Sequence, residues 1–487
     1  MMRSSGRWAI FCAASSKRRF LRDAAQSSHG CRPSKGRIIV TQKEERVGSS
    51  EDCIAFLRSG ETPRSDWVIG TEHEKIGLYA DTFDRIPYEG ERGVGRLLEE
   101  IAVRDDWKRV YEGENLIALE KDGASITLEP GGQIELSGAP LRAIRETCRE
   151  FNAHVDLVNE IAAELGIIFV ALGIDPLHPV SEIPVMPKRR YEIMREYLPT
   201  RGSLGLDMMH ASATVQANFD FSDEADMVSK MRTAMGCTPI ISAMFANSSI
   251  AAGGPAGWAS KRVEIWRDTD PDRCGLLPFV FDSDFGYRRY VEWALDVPMF
   301  FVVRNSEYRP AWQMTFRQFM ENGFEGIQAN QADWNLHLTT LFPEVRLKQI
   351  IEVRGADTVP RELICALPAV WKGLLYDDGA RASAWELVKG FTMPERQAAQ
   401  GDVARKGLSA RLGEAAVLDL ACELVEISSD GLRAIGEPSG SAPDERGFLD
   451  PLRAQLELGR SPGEIQVESW NGAWGASPER LIEFTRY

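Results

Sequence analysis

The chain has 487 residues, 44% of them hydrophobic and 26% charged, with a net charge of −15. That length suits one large catalytic domain or two to three smaller ones. The first 37 positions hold nine Lys and Arg residues against one acid, Asp23, so the remainder carries −23. So acidic a body argues against nucleic acid or an anionic membrane as partner. No apolar run reaches the roughly 18 residues that a spanning helix needs.

Residues 1–45 read as a basic, disordered extension, Arg- and Ser-rich and poor in acids. Transit peptides have this composition, as do a basic tail and a start codon assigned too far upstream, the two readings preferred here. A helix is predicted over Ser50–Ser59 and a strand over Trp67–Leu78. From Leu141 to Leu165 apolar residues return every three or four positions, which predicts a long helix stopped by Gly166. Strand Ile167–Leu172 and helix Tyr191–Tyr197 follow. Ala213–Asp220 alternates as a strand, with Thr214, Gln216 and Asn218 on one face. A helix runs from Glu224 to about Phe245, then a Gly/Ala loop over Ser248–Ser260. Met314–Asn322 reads as helix, and Leu341–Arg354 includes a strand. Beyond Trp371 helical periodicity dominates (Glu414–Ile427, Gly447–Leu458), with a loop at Glu437–Pro443. Helices and strands mix without regular βαβ alternation, which predicts an α+β fold on an antiparallel sheet.

Three short segments are crowded with acids: Gly70-Thr71-Glu72-His73-Glu74-Lys75, Glu129-Pro130-Gly131-Gly132-Gln133-Ile134-Glu135, and Glu352-Val353-Arg354-Gly355-Ala356-Asp357. Residues two apart on a strand share a face, so Glu72 lies beside Glu74 and Glu352 beside Arg354. Carboxylates held that close repel unless a cation or a proton lies between them. Hard divalent ions take oxygen ligands and bridge carboxylates to phosphates, and an arginine on the same face suits a phosphoryl group in transfer. The pattern suggests a metal–phosphate site on a sheet. An E-x-E pair alone is more often a solvated strand face, but here Trp67-Val68-Ile69 and Ile76-Gly77-Leu78 flank it like core.

Standard nucleotide motifs are absent: there is no G-x-x-x-x-G-K-[ST], and Gly90, Gly93 and Gly95 make no dinucleotide fingerprint. The six histidines have no metal spacing, and His73 points away from Glu72 and Glu74. The eight cysteines include no C-x-x-C and are expected to be mostly reduced thiols in a cytosol. Arg346 and Lys348 alternate on the approach to Glu352 and Arg354. Burying so many charges is costly unless they pair across a ligand; the alternative is an exposed amphipathic strand.

The acidic segments, together with Thr214-Val215-Gln216-Ala217-Asn218, Leu277-Pro278-Phe279-Val280-Phe281, Phe342-Pro343-Glu344-Val345-Arg346-Leu347-Lys348 and Trp470-Asn471-Gly472-Ala473-Trp474-Gly475, closely resemble plant-type glutamate–cysteine ligases, the form shared by plants and many proteobacteria. The resemblance runs from about residue 50 to the C-terminus. It implies a glutamine-synthetase-like curved antiparallel sheet, with residues 46–487 as one catalytic domain. It implies ATP- and Mg²⁺-dependent ligation of L-glutamate to L-cysteine through γ-glutamyl phosphate. Matched by motif, Glu72, Glu74, Glu129, Glu135 and Glu352 are the expected Mg²⁺ ligands, Glu72 and Glu74 serving catalysis with Arg354. Arg262, Gln216 and Met209 are expected to bind amino-acid substrate, and Arg346 and Lys348 the nucleotide phosphates. The resemblance also implies a Cys148–Cys365 disulfide. A second, plant-specific pair has no counterpart, since Tyr308–Trp312 and Glu321–Gly326 contain no cysteine; this favours a bacterial, cytoplasmic enzyme, organellar only if residues 1–37 are a transit peptide. A monomer or weak homodimer is expected. A γ-glutamyl ligase with another amine acceptor and a non-catalytic glutamate- or nucleotide-binding protein are the competing readings.

Overall fold

The computed structural model describes residues 45–436 and 444–487. The basic extension, apart from residue 45, and the loop expected at Glu437–Pro443 lie outside them.

Among the described residues nine strands build the main sheet: β1 (Ile69–Tyr79), β2 (Lys108–Glu112), β3 (Asn115–Lys121), β4 (Ala124–Leu128), β5 (Ile134–Ser137), β6 (Ile167–Val170), β7 (Thr214–Phe219), β8 (Val345–Leu347) and β9 (Ile351–Asp357). The order is β8-β9-β7-β1-β5-β4-β3-β2, with β6 paired to the second half of β1, and every pairing is antiparallel. This is the α+β fold on an antiparallel sheet that the sequence predicts.

Register places the polar residues. Glu72 lies opposite Gln216 on one side and Ser137 on the other, and Glu74 lies opposite Glu135. Glu352 faces Asn218 across one ladder and Arg346 across the next. The side-chain period of two then gathers all of these on one face. The other face packs Val215, Ala217, Phe219, Ile351 and Val353 into the main core. It is sealed by helix Glu224–Met244, buried along most of its length and packed on β9, and by helix Ala366–Tyr376 on β7. His73 and Lys75 also point to that side. Lys75 Nζ lies 3.1 Å from His73 Nδ1, and His73 Nε2 lies 2.8 Å from the Tyr487 hydroxyl. His73 is thus a core residue, as its place in the alternation predicts.

Most predicted elements recur within a few residues. Three differences are informative. The meander β2–β4 and helix Val94–Arg104 have no counterpart in the sequence reading. Leu341–Arg354 is a hairpin, so Arg346 stands across from Glu352 instead of preceding it along one strand. The helix expected at Glu414–Ile427 runs over Val417–Gly436, after a short hairpin turning at Gly413 with φ 55°.

Candidate active site

β1 and β5 hold Glu74 and Glu135 side by side, and the turn after β4 brings Glu129 to them. Each of the three offers an oxygen within 4.8 Å of the others. The turn is tight: a Cβ on Gly131 would meet the His210 carbonyl oxygen at 2.1 Å, so only glycine allows this approach. Gln133 clips the turn in place, accepting from Gly131 N (3.0 Å) and donating to Ser212 O (2.6 Å). Ser137 and Thr127 hydroxyls donate to Glu135 at 2.7 and 3.2 Å, Thr214 N donates to Glu74 at 3.0 Å, and Asn218 donates to Glu72 at 3.0 Å.

Those few hydrogen bonds do not offset the crowding. Burial, then the charges of Glu352 and Glu135, push Glu72 up to about 7. Burial and Glu129 push Glu135 to about 7. Burial, with Glu129 and Glu135, raises Glu74 well above the ordinary carboxylate range. Among the described residues none of Glu74, Glu129 and Glu135 belongs to an ion pair. Acceptor-only oxygens in excess of cations are the donor set of a hard divalent ion, so these residues fit Mg²⁺.

The other arm of the same face is balanced. Arg346 Nη2 donates to Glu352 Oε1 at 2.8 Å and its Nε to Oε2 at 2.5 Å, while Nη1 donates to the carbonyls of Thr339 and Leu341, both at 2.9 Å. Four of its five N–H donors are thereby engaged. Lys348 lies 3.3 Å from Glu352, with a fifth of its side chain exposed. Burial alone would raise Glu352, but Arg346, Lys348 and Arg354 hold it well below the usual range.

Between the two arms opens a cavity of about 220 Å³ whose lining includes Glu74, Glu129, Gln216, Met209, Arg262 and Arg354. Arg262 sits in the first turn of helix Lys261–Arg267 and is 2% exposed. Arg354 lies within a bulge in β9 and donates to Gln216 Oε1 at 2.8 Å. Gly355 makes the bulge possible, because a Cβ there would lie 2.8 Å from Ser242 Oγ and 2.9 Å from Glu344 Oε2. Both guanidinium groups approach the Trp266 ring, at 5.6 and 5.7 Å from its centroid. Burial and the like charge of Arg346 draw Arg354 down to about 10, which leaves it charged at neutral pH.

The structure thus unites Glu74, Glu129, Gln216, Met209, Arg262 and Arg354 around one cavity, with Glu135 completing the acidic trio behind Glu74 and Glu129. Glu72, Glu352, Arg346 and Lys348 share the sheet face outside the cavity lining. Cys148 and Cys365 are joined by a disulfide, away from this cavity. Sequence reasoning assigned no role to Lys188, Arg190 or Trp266, which also line the cavity. Lys188 donates to Leu128 O at 2.7 Å just before Glu129, and burial draws it down to about 8. Its only signal in the sequence is a basic run opening a helix.

An acidic trio with two arginines beside a small cavity fits a phosphoryl-transfer type of site, the class expected of an ATP-dependent ligase. The family model for glutamate–cysteine ligase family 2 matches residues 68–483. A chloroplastic glutamate–cysteine ligase of Nicotiana tabacum is 44% identical over 442 residues, 90% of this chain and 83% of that protein. That of Arabidopsis thaliana is 43% identical over 458 residues, 93% and 85% of the two chains. A glutamate–cysteine ligase of Francisella tularensis solved in complex with AMP aligns with a TM-score of 0.53 at 12% identity, covering 86% of this chain and 87% of that one, a likeness of fold. The chain belongs to glutamate–cysteine ligase family 2. The plant relatives are named as chloroplastic, so they lend no support to the cytoplasmic expectation. No described helix is long and apolar enough to cross a membrane.

Proposed function

We propose that this chain is an ATP-dependent glutamate–cysteine ligase, with residues 46–487 acting as one catalytic domain. The observation that carries the reading is the trio Glu74, Glu129 and Glu135, with oxygens within 4.8 Å of one another and beside a cavity with two arginines. Bound there, Mg²⁺ would neutralise the phosphate oxygens of ATP. Glu72 and Glu352 extend the acidic face toward the nucleotide. Arg262 holds a carboxylate of glutamate, and Gln216 and Met209 bound the same amino-acid pocket. The γ-carboxylate attacks the γ-phosphorus of ATP and ADP leaves. Arg354, fixed by Gln216 and the Trp266 and Phe342 rings, meets the charge that develops on the transferring group. The amine of cysteine then attacks the acyl carbon of γ-glutamyl phosphate, phosphate departs, and the amide forms. Lys348, partly exposed and among the described residues paired only to Glu352, has the freedom to reach nucleotide phosphate; Arg346 lies nearby, with four of its five N–H donors engaged among the described residues.

The test is ADP release from Mg-ATP and glutamate, with and without cysteine, and the mass of the product. Cysteine-dependent ADP with a γ-glutamylcysteine mass is expected. ADP release driven by a different amine would move the acceptor while keeping the chemistry. No ADP with any acceptor would overturn the reading.

A further inference from the structure

Asp357 closes the third acidic segment, yet it touches neither the cavity nor the acidic trio. It lies at the end of β9, three residues beyond Arg354, and is 1% exposed. Its Oδ2 accepts from Asn247 N and from the Ser248 hydroxyl, both at 2.7 Å, and its Oδ1 accepts from the Ser260 hydroxyl at 3.0 Å. The two serines then face the start of helix Lys261–Arg267. Ser248 Oγ accepts from Arg262 N at 3.0 Å and Ser260 Oγ, the N-cap, from Val263 N at 3.1 Å. Lys261 N donates to Ser248 O at 2.9 Å. The first three backbone N–H groups of the helix, orphans in any helix, therefore end on two serines, and one carboxylate sets both hydroxyls.

The polarity of this arrangement depends on an acceptor-only group. Each serine has one proton to donate. With that proton given to Asp357, the hydroxyl oxygen presents its lone pairs to the helix. An amide in place of the carboxylate would set an N–H₂ against one of these donors. The negative charge at the helix N-terminus also favours the helix dipole.

We propose that Asp357 is a positioning residue that fixes Arg262 relative to Arg354, and through Arg262 sets how the carboxylate of substrate glutamate is held. This rests on the assignment of Arg262 made above. Arg262 is the second residue of the clamped helix, and Arg354 belongs to the strand that carries the clamp. Arg262 Nη2 also donates to Arg354 O at 3.1 Å, so the two cationic groups have one common frame. A glycine confirms how closely that frame is packed: a Cβ on Gly173 would lie 2.6 Å from Asp357 Cβ.

The experiment is steady-state ADP release by the full chain, varying glutamate, cysteine and ATP in turn, for D357N, S248A, S260A and R262A. D357N is expected to raise the KM for glutamate about tenfold, and each serine variant about threefold, since displacements of about 1 Å at a binding group reach a hundredfold in rate. The KM for ATP stays within about twofold, a split that loss of folding alone does not produce. If D357N gives no folded protein, the serine variants carry the decision. The proposal is overturned if R262A raises the glutamate KM while D357N or the serine variants leave it unchanged. It is also overturned if these variants raise all three KM values together. An R262A enzyme with an unchanged glutamate KM overturns the assignment of Arg262 itself, whatever D357N does.

Discussion

The two arms of one sheet face treat their carboxylates in opposite ways. On β1, β5 and the turn before β5, Glu74, Glu129 and Glu135 crowd together, and among the described residues none of them is in an ion pair. On β8 and β9, Glu352 is held by Arg346 at two points and approached by Lys348. Glu74 and Glu135 are pushed toward protonation, and Glu352 is held ionised. Both arms look alike in sequence, as glutamates on short apolar strands. What separates them is charge balance, and it is the unbalanced arm to which the proposed function assigns the metal ion. A paired buried carboxylate supports the fold; an unpaired cluster is strain kept for a ligand.

Substitutions on the two arms should therefore fail differently. Glu74→Gln is expected to lower turnover about a thousandfold while leaving the stability of the metal-free protein within about 1 kcal/mol of the parent, read by ADP release and urea unfolding. Large unfolding in this variant would mean that Glu74 serves structure. Glu352→Gln is expected to do the reverse in the unfolding experiment. It strands Arg346, which is 6% exposed, and should lower stability by about 3 kcal/mol. A fully stable Glu352→Gln protein would remove the distinction between the arms.

Much of this site is legible in the sequence, because a strand period of two is enough to put Glu72 beside Glu74 and to send His73 to the core. The acidic turn was legible for its Gly131-Gly132 pair and its flanking glutamates. The charge balance was not. Nothing in Phe342–Arg354 announces a hairpin, since the turn at Lys348-Gln349-Ile350 contains neither glycine nor proline, so the pairing of Arg346 across the ladder with Glu352 was not legible. The meander was missed for a related reason: β2 and β3 are rich in Lys, Arg and Glu, such as Lys108, Arg109 and Glu120, and alternate weakly. Lys188 and Trp266 enter the site only through tertiary packing, which no local pattern encodes. The Asp357 clamp likewise joins residues near 248, 260 and 357.

The third way to sharpen the contrast is to add a divalent cation. Mg²⁺ at about a hundred times its dissociation constant should stabilise the protein by about 2.7 kcal/mol, seen as a raised melting temperature. That gain should vanish in Glu74→Gln and persist in Glu352→Gln. An equal gain in the parent and Glu74→Gln would place the ion elsewhere.

The smallest expected effect concerns a second paired carboxylate, which tests whether pairing has the same meaning away from the cavity. Asp175 lies 2.8 Å from Arg85, both side chains at most 2% exposed, and Arg85 also donates to the Gly131 carbonyl under the turn that bears Glu129. Burial would raise Asp175, but hydrogen bonds from His178 and the charge of Arg85 bring it down to about 2, against 3.8 in the unfolded chain. A carboxyl group lowered in the fold binds its proton less readily there, so its stabilisation is complete above about pH 4 and is lost as pH falls toward 2. The shift corresponds to about 2 kcal/mol. The stability difference between the parent and Asp175→Asn should shrink by that amount between pH 5 and about 2, measured by urea unfolding at each pH. Were the difference flat, the Arg85–Asp175 pair would not be what secures the turn, and pairing on the β9 arm would need its own explanation.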